Sequence, residues 1–383
     1  MPKVGHGHFE DYSPQTEVKH AILDKYFRAY VKALVPRVDA FHYVDGFAGR
    51  GTYGNDQPGS PLLAIATLEE QPKPASVSLI ESDRVTFEAL ELAVRNKISR
   101  FVEPLVVNAE FSAVVSDVLS RPIYRRFSRV ATFAFIDPCG VRGVRLSDIG
   151  GVLAKPFAEC LLFWNYDGIN RWIGGVARQS HAPDGLRDFF GGEDALQFAL
   201  ACFRAQTDAG RKEVELRDFY VGALRRHACA QFILPFRFQA RDKARTSHYL
   251  IHCANHPIAF KIMKEVMWRA TAEGGDAGTF QFLRPEELGV QTSLFRPAID
   301  DARQAILQEL SKGEHLVSLF AEDWVLRPAD FLVEKQYKEI LLALEAQGLV
   351  EVIDPRTRSP RPRERRIRKG VPTLGSSLIV RLS

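Results

Sequence analysis

Apolar residues recur along this chain in two rhythms. Over residues 19–34, Ile22, Leu23, Tyr26, Phe27, Tyr30, Val31 and Leu34 follow three- and four-residue steps, the stripe of an amphipathic helix, and Pro36 stops it. Short unbroken apolar runs come next, over 40–44, 76–80, 102–107, 131–136 and 159–164. Runs of that kind are expected of parallel strands covered on both faces. A helix is predicted over 84–98. Strands alternating with helices imply βαβ units and a doubly wound α/β sheet. Polar helices over 167–226 form an insertion. Segments 232–239 and 247–253, joined by a turn at 240–245, are expected as an antiparallel hairpin closing the sheet. A helix over 257–272 and a Gly-rich break at 274–278 follow.

From about residue 298 the pattern changes. Helices are predicted at 300–310, near 315–321 and over 333–347, the last ending at Gly348. Strands at 349–353 and 377–382 follow, joined by a basic loop. Helices leading into a two-stranded ribbon with a basic connection describe a winged helix. The expected organisation is therefore an α/β domain over 1–297, with its helical insertion at 167–226, and a winged-helix domain over 298–383 with a wing at 356–369.

Composition adds little to the fold and more to the setting. Of the 383 residues 46% are hydrophobic and 26% charged, as in a soluble globular protein. No run approaches the roughly 20 apolar residues of a membrane span. Five cysteines, widely spaced and never as C-x-x-C, read as reduced thiols, so a cytoplasmic location and no structural metal are expected. The net charge of +4 is unevenly placed. Residues 356–369 hold seven arginines and one lysine against Glu364, a net of +7, which leaves −3 for the rest. A polyanion would bind there.

The candidate chemistry begins at Val44-Asp45-Gly46-Phe47-Ala48-Gly49-Arg50-Gly51-Thr52-Tyr53-Gly54, where the first strand ends in a carboxylate and turns on glycines. A plain tight turn with a capping aspartate is one reading. A cofactor turn is the other, because glycines let the backbone approach a ligand and open α/β sheets bind ligands at their carboxyl edge. Gly49, Gly51 and Gly54 match the dinucleotide spacing G-x-G-x-x-G. That motif expects a helix at the third glycine and an acid ending the next strand about 20 residues on. Here Gly54 is followed by loop, the helix begins near Ser60-Pro61, and the acid ending the second strand is Glu81. An acid before the glycines and another ending strand two fit S-adenosylmethionine better. Asp45 would face the methionine amino group and Glu81 the ribose hydroxyls, with Phe47, Gly49 and Gly51 in the turn.

Phe135-Ile136-Asp137-Pro138-Cys139-Gly140 ends the fourth strand. In methyltransferases acting on exocyclic amines, an Asp or Asn followed by Pro stands at this place. The side chain and the proline carbonyl accept hydrogen bonds from the NH2 and aim its lone pair at the methyl group, so catalysis is mostly positioning. Asn108, after strand three, is read either as a bond to the adenine edge, with Phe111 near its ring, or as a helix N-cap. Trp164, Asn165 and Tyr166, after strand five, offer stacking surfaces and a polar edge to a flipped base. His248 and His252 would lie about 13 Å apart along a strand, too far to share an ion, and with His256 they read as structural. The wing cations Arg356, Arg358, Arg361, Arg363, Arg365, Arg366, Arg368 and Lys369 point to nucleic acid, with an acidic protein as the alternative.

With these pieces together the sequence resembles the three-Cys-motif partner protein (TcmP) family. The residues carrying this are Lys19-His20-x-Ile22-Leu23-x-x-Tyr26, then Val44-Asp45-Gly46-Phe47-Ala48-Gly49-x-Gly51-x-Tyr53 with Gly59-Ser60-Pro61. Phe135-Ile136-Asp137-Pro138-x-Gly140, Tyr249-Leu250-Ile251 and Met263-Lys264-x-Val266-Met267-Trp268 complete the match. The resemblance implies a Rossmann-like sheet of the class I methyltransferase type and a radical-SAM-like partner with a three-cysteine motif. Asp-Pro-x-Gly is also similar to tRNA guanine-N2 methyltransferases, more than to the Asp-Pro-Pro-Tyr of adenine-N6 enzymes. Gly140 lacks the aromatic that stacks on the base, so Tyr166 or Trp164 would supply it. The expected function is an S-adenosylmethionine-dependent methyltransferase acting on a nucleobase amine of DNA or RNA. The competing expectation is a non-catalytic nucleic-acid-binding scaffold in a repair or phage-defence complex.

Overall fold

The computed structural model describes residues 14–97, 101–138, 140–177, 185–205, 208–239, 246–274, 281–282, 295–327 and 332–383. The chain divides into two units, Met1–Met263 and Lys264–Ser383.

The first unit is built on strands β1 (Ala40–Asp45), β2 (Ala75–Ile80), β3 (Val102–Val107), β4 (Val130–Ile136), β5 (Glu159–Trp164), β6 (Phe232–Gln239) and β7 (Thr246–Ala254). Their order is β3-β2-β1-β4-β5-β7-β6. The first five are parallel, β7 runs antiparallel to β5, and β6 pairs antiparallel with β7. This is the doubly wound, Rossmann-like sheet expected from the apolar runs, closed by the expected hairpin. The turn at 240–245 lies outside the described residues, as do the Gly-rich break at 275–278 and Cys139. Every residue of β1, β2, β4 and β5 is buried, which is why those runs do not alternate.

Helices cover both faces. On one, α1 (Pro14–Leu34) lays Phe27 and Tyr30 over Phe41, Tyr43 and Phe133, with ring centroids 5.1–6.5 Å apart. On the other, Val44, Ala134 and Ile136 pack with α4 (Phe111–Val118) and α6 (Leu146–Leu153). Each large side chain so buried contributes about 1.5–3 kcal/mol, so the sheet edge between these layers is held firmly. The insertion, α7 (Tyr166–Ala177), α8 (Leu186–Phe190), α9 (Glu193–Ala205) and α10 (Ala209–His227), packs on the carboxyl end of β5.

β1 lies between β2 and β4, and the chain winds outward on either side of it, toward β3 one way and β5 the other. The crevice outside the β1 and β4 carboxyl ends is thus the switch point where such sheets bind ligands. In register, Asp45 is level with Phe135 of β4 and Leu79 of β2, so Glu81 and Asp137 leave the sheet along the same edge.

The second unit contains β8 (Gln281–Phe282), α12 (Phe295–Leu310), β9 (His315–Leu316), α13 (Glu334–Ala346), β10 (Val350–Ile353) and β13 (Ile379–Leu382), and the strands β9, β10 and β13 make its own sheet. That sheet is antiparallel, in the order β10-β13-β9. Between β10 and β13 a small hairpin pairs β11 (Ile367–Arg368) with β12 (Val371–Pro372). Its core joins Ile306, Phe320, Trp324, Tyr337, Leu341, Val352 and Val380. The short helix expected near 315–321 starts instead as a strand. His315 and Leu316 pair with Val380 and Ile379, and helical turns begin only at Val317. Strand pairing across the sheet overrides a weak local preference there.

The division between units falls inside α11 (Pro257–Gly274), earlier than the 297/298 boundary expected from the change of pattern. Lys264 Nζ donates to the Val325 carbonyl at 2.8 Å and Trp268 packs on the second core, so the later turns of α11 belong by their contacts to the second unit. Among the described residues no helix is long and apolar enough to cross a membrane.

Candidate functional site

Asp45 ends β1 fully buried. Its carboxylate accepts hydrogen bonds from the Tyr43 hydroxyl at 3.2 Å, the Phe47 amide at 3.4 Å and the Ser60 hydroxyl. Those donors are neutral. Burial pushes the carboxyl up to about 7 against their pull, and the nearby Asp137 pushes the same way. The turn beyond it uses left-handed backbone at Gly49 (φ 62°) and Gly51 (φ 81°). At Gly51 the space a Cβ would take faces Leu90 and Ala93 of α3 (Arg84–Val94), 3.1 Å away. This glycine therefore makes room for a helix. Gly54 opens a single 3₁₀ turn, and the next helix, α2 (Ser60–Glu69), starts only at Ser60 with Pro61 in its first turn. The helix that the dinucleotide spacing requires at its third glycine is missing.

Glu81 follows β2 and ties the turn to it. Its carboxylate accepts the Gly49 amide at 3.0 Å and the Asp83 amide at 2.8 Å, and burial raises its pKa. Lone pairs remain for a hydroxyl pair. Asn108 departs from one of its two expected roles. Glu110, not Asn108, stands at the N-cap of α4. The Asn108 amide group donates to the carbonyls of Glu81 (2.9 Å) and Ser82 (3.2 Å), which clamps strand ends β2 and β3 together. Phe111 is fully buried beneath Gly46, whose missing Cβ leaves only 3.0 Å to the ring, so Phe111 is no open surface for an adenine. Phe47 is half-buried beside it, with Gly143 on its other side.

Asp137, just beyond β4, is the acid across the crevice from Asp45. Its side chain is 21% exposed and forms a short ion pair with Lys19 of α1. The Lys19 ammonium also lies 4.5 Å from the centre of the Phe163 ring. Sequence reasoning gave Lys19 no role. Its signal was a lysine on the apolar stripe of α1, next to His20, which burial and Lys19 together push down to about 3. Pro138 is buried. At Gly140 an added Cβ would lie 2.8 Å from the indole of Trp172, on α7. Trp172, half-buried, thus covers the position that lacks an aromatic.

Two expectations for the end of β5 are corrected. Trp164 and Tyr166 are 1% and 5% exposed: Trp164 packs on Tyr220 of the insertion at 5.0 Å and on Tyr249 of β7 at 5.4 Å. They are core, not open stacking surfaces. Asn165 Oδ1 accepts the Gly168 amide at 2.9 Å, so its side chain caps α7.

The basic segment 356–369 is also sorted by the fold. Arg366 is buried, paired through two nitrogen–oxygen contacts with Glu345 of α13, and donates to the carbonyls of Thr373 (2.6 Å) and Arg361 (2.9 Å). It is a structural residue and not a surface cation, because its position behind the hairpin encloses it. Arg358 pairs with Glu314 at 2.6 Å and Arg361 with Asp354 at 3.2 Å. Arg356, Arg365, Arg368 and Lys369 are exposed and Arg363 half-exposed.

An open cleft of about 350 Å³ lies near the start of α4, lined among others by Ser112, Arg142, Arg145 and Asp188. It shares no residue with the Asp45–Asp137 group. Among the described residues no cluster of three or more ligating side chains would hold a metal, His252 pairs with Glu159 at 2.9 Å, and Cys160, Cys202, Cys229 and Cys253 are free thiols.

No protein-family model and no curated protein matches the chain. Among solved structures it is similar to human methyltransferase-like protein 13 in complex with SAH, at 12% identity and a TM-score of 0.33 over 73% of this chain and 98% of that one. It is similar to an O-methyltransferase from Bacillus cereus in complex with SAH, at 9% identity and a TM-score of 0.29, over 64% and 83%. For EvdMO1 the identity is 12% and the TM-score 0.30, and the 63% of this chain that aligns spans only 42% of that one. Scores this low are likenesses only, and the chemistry stands on the crevice between β1 and β4.

Proposed function

We propose that the protein is an S-adenosylmethionine-dependent methyltransferase acting on an exocyclic nucleobase amine in DNA or RNA. The observation that carries this is Asp45: a fully buried carboxylate at the switch point, held by neutral donors, with Asp137 across the crevice. Such a group favours a cationic partner, because a cation would offset the burial that raises its pKa. A ligand ammonium meets that need, and the carboxylate would hold it. Glu81, fixed by the Gly49 and Asp83 amides, would take the ribose hydroxyls. The bound cofactor supplies a methyl group already activated by its sulfonium. The chain's own task is then positioning. Asp137 and the Pro138 carbonyl would accept the two N–H groups of the acceptor, and the ion pair with Lys19 would hold the Asp137 side chain in place. Trp172, covering Gly140, would give the base a flat neighbour in place of Trp164 and Tyr166. The elements of the second unit support a winged helix whose basic wing holds the nucleic acid.

A second reading has an observation of its own. Lys19 already occupies the Asp137 carboxylate, and Gly140 brings no aromatic. A chain that binds nucleic acid and serves as a scaffold for a repair or defence complex fits those two facts. The resemblance adds a three-Cys-motif, radical-SAM-like partner to either reading.

Calorimetric titration with S-adenosylmethionine separates them, with NADH as control ligand and Asp45→Ala as control protein. Binding that the substitution abolishes supports the enzyme, and a labelled-methyl screen of DNA and RNA, with and without the partner, then identifies the acceptor. Binding of NADH in preference overturns the cofactor assignment. Binding of neither favours the scaffold.

A further inference from the structure

Charge in the second unit is divided between two elements that a nucleic acid would meet differently. On α13 the cations are spent along the helix itself: Lys338 pairs with Glu334 at 2.5 Å and Lys335 with Glu339 at 3.6 Å. Its third glutamate, Glu345, is bound by Arg366. The outward positions of its last turns are Ala343 and Ala346. Those last turns carry no free side chain to read a base edge, and the lysines of the first turns, Lys335 and Lys338, are held by Glu339 and Glu334.

The hairpin after it is the opposite case. Arg366 fixes its base to α13 and to the Arg361 and Thr373 carbonyls. Beyond that anchor β11 and β12 pair across the turn Lys369-Gly370, where both φ angles are positive (51° and 78°), the geometry that suits a tight two-residue hairpin. Arg363, Arg365, Arg368 and Lys369 stand on this frame with one acid, Glu364, among them. Among the described residues none of the four makes an ion pair. Ile367 and Val371 stand beside them, 56% and 60% exposed.

We infer that this hairpin grips the phosphodiester backbone of a nucleic-acid duplex and that α13 does not read its bases. The inference rests on the nucleic-acid part of the proposed function. Cations on a pre-formed hairpin lose little freedom on binding. Phosphate contacts carry no sequence information, so binding is indifferent to sequence. Ile367 and Val371, exposed beside the cations, would supply apolar contact to the duplex.

The test is fluorescence anisotropy of the full chain with labelled duplexes of two unrelated sequences, as DNA and as RNA, across a salt series. Four cations give a slope of log affinity on log salt of about −3.6 on B-form DNA, roughly a hundredfold loss between about 50 and 200 mM salt. Replacing Arg363, Arg365, Arg368 and Lys369 with Gln should bring the slope toward zero. The pair Lys335→Gln and Glu339→Gln should leave affinity unchanged. Equal loss in the α13 variant, strong preference between the two sequences, or no duplex binding at low salt overturns the inference. S-adenosylmethionine titration of the unsubstituted chain keeps the two questions apart: no cofactor binding with intact duplex binding refutes the enzyme and not the hairpin.

Discussion

Replacing Asp45 with asparagine should stabilise the protein at alkaline pH while it weakens cofactor binding. The carboxyl has an ordinary value of 3.8 and is raised to about 7 in the fold. A folded-state value above the unfolded one means the folded protein holds the proton more tightly. Stability from this group is therefore fully present below pH 3.8, falls as pH rises, and is lost above about 7. At about 1.36 kcal/mol per unit, the penalty is roughly 1.5 kcal/mol at pH 5 and roughly 4 kcal/mol at pH 8. Asparagine never ionises and escapes it. The amide adds a cost of about 1 kcal/mol for an imperfectly matched N–H, but this does not change with pH. Relative to wild type, the variant should gain roughly 2.5 kcal/mol between pH 5 and pH 8, seen as a relative Tm shift of roughly 5–10 °C. Other titrating groups are common to both proteins and cancel. Denaturation of both at the two pH values measures the difference, and calorimetry on the same samples measures cofactor affinity. A stability difference that is the same at both pH values would refute the buried, uncompensated carboxylate, and with it the reason offered for a cationic ligand.

Two further substitutions probe the acceptor side. Gly140→Ala places a methyl group 2.8 Å from the Trp172 indole, so a loss of about 1–3 kcal/mol is expected, and in a Trp172→Ala background the same substitution should cost little. A neutral Gly140→Ala in a denaturant melt would mean that Trp172 does not cover this position. Asn165→Ala removes the cap on the Gly168 amide and should cost about 1 kcal/mol with unchanged S-adenosylmethionine affinity. Lost methyl transfer at unchanged stability would instead make Asn165 an acceptor contact.

Much of the fold was legible in the residues because its signals are local. Unbroken apolar runs of strand length, Gly-rich turns, Ser60-Pro61 opening α2 and an acid closing each of three strands need no knowledge of distant chain. The basic segment 356–369 is legible for the same reason, since charge density is a property of composition. Periodicity tells which face of an element is covered, but not by what. The pairing of Lys19 with Asp137 spans 118 positions, and the winding of the sheet around β1 and β4 brings α1 to that edge. The insertion and β7 bury Trp164 and Tyr166, aromatics that in sequence alone serve equally as core or as stacking surface. Asn165 and Asn108 took the nearest backbone groups once strand ends and helix starts were fixed. Arg366 left the cationic surface because Glu345 of α13 stands behind the hairpin. The sequence by itself determined the elements, the candidate acids and the placement of charge. Only the tertiary structure decided which side chains meet at the crevice and which cations remain exposed, because burial and pairing are set by neighbours that lie far away along the chain.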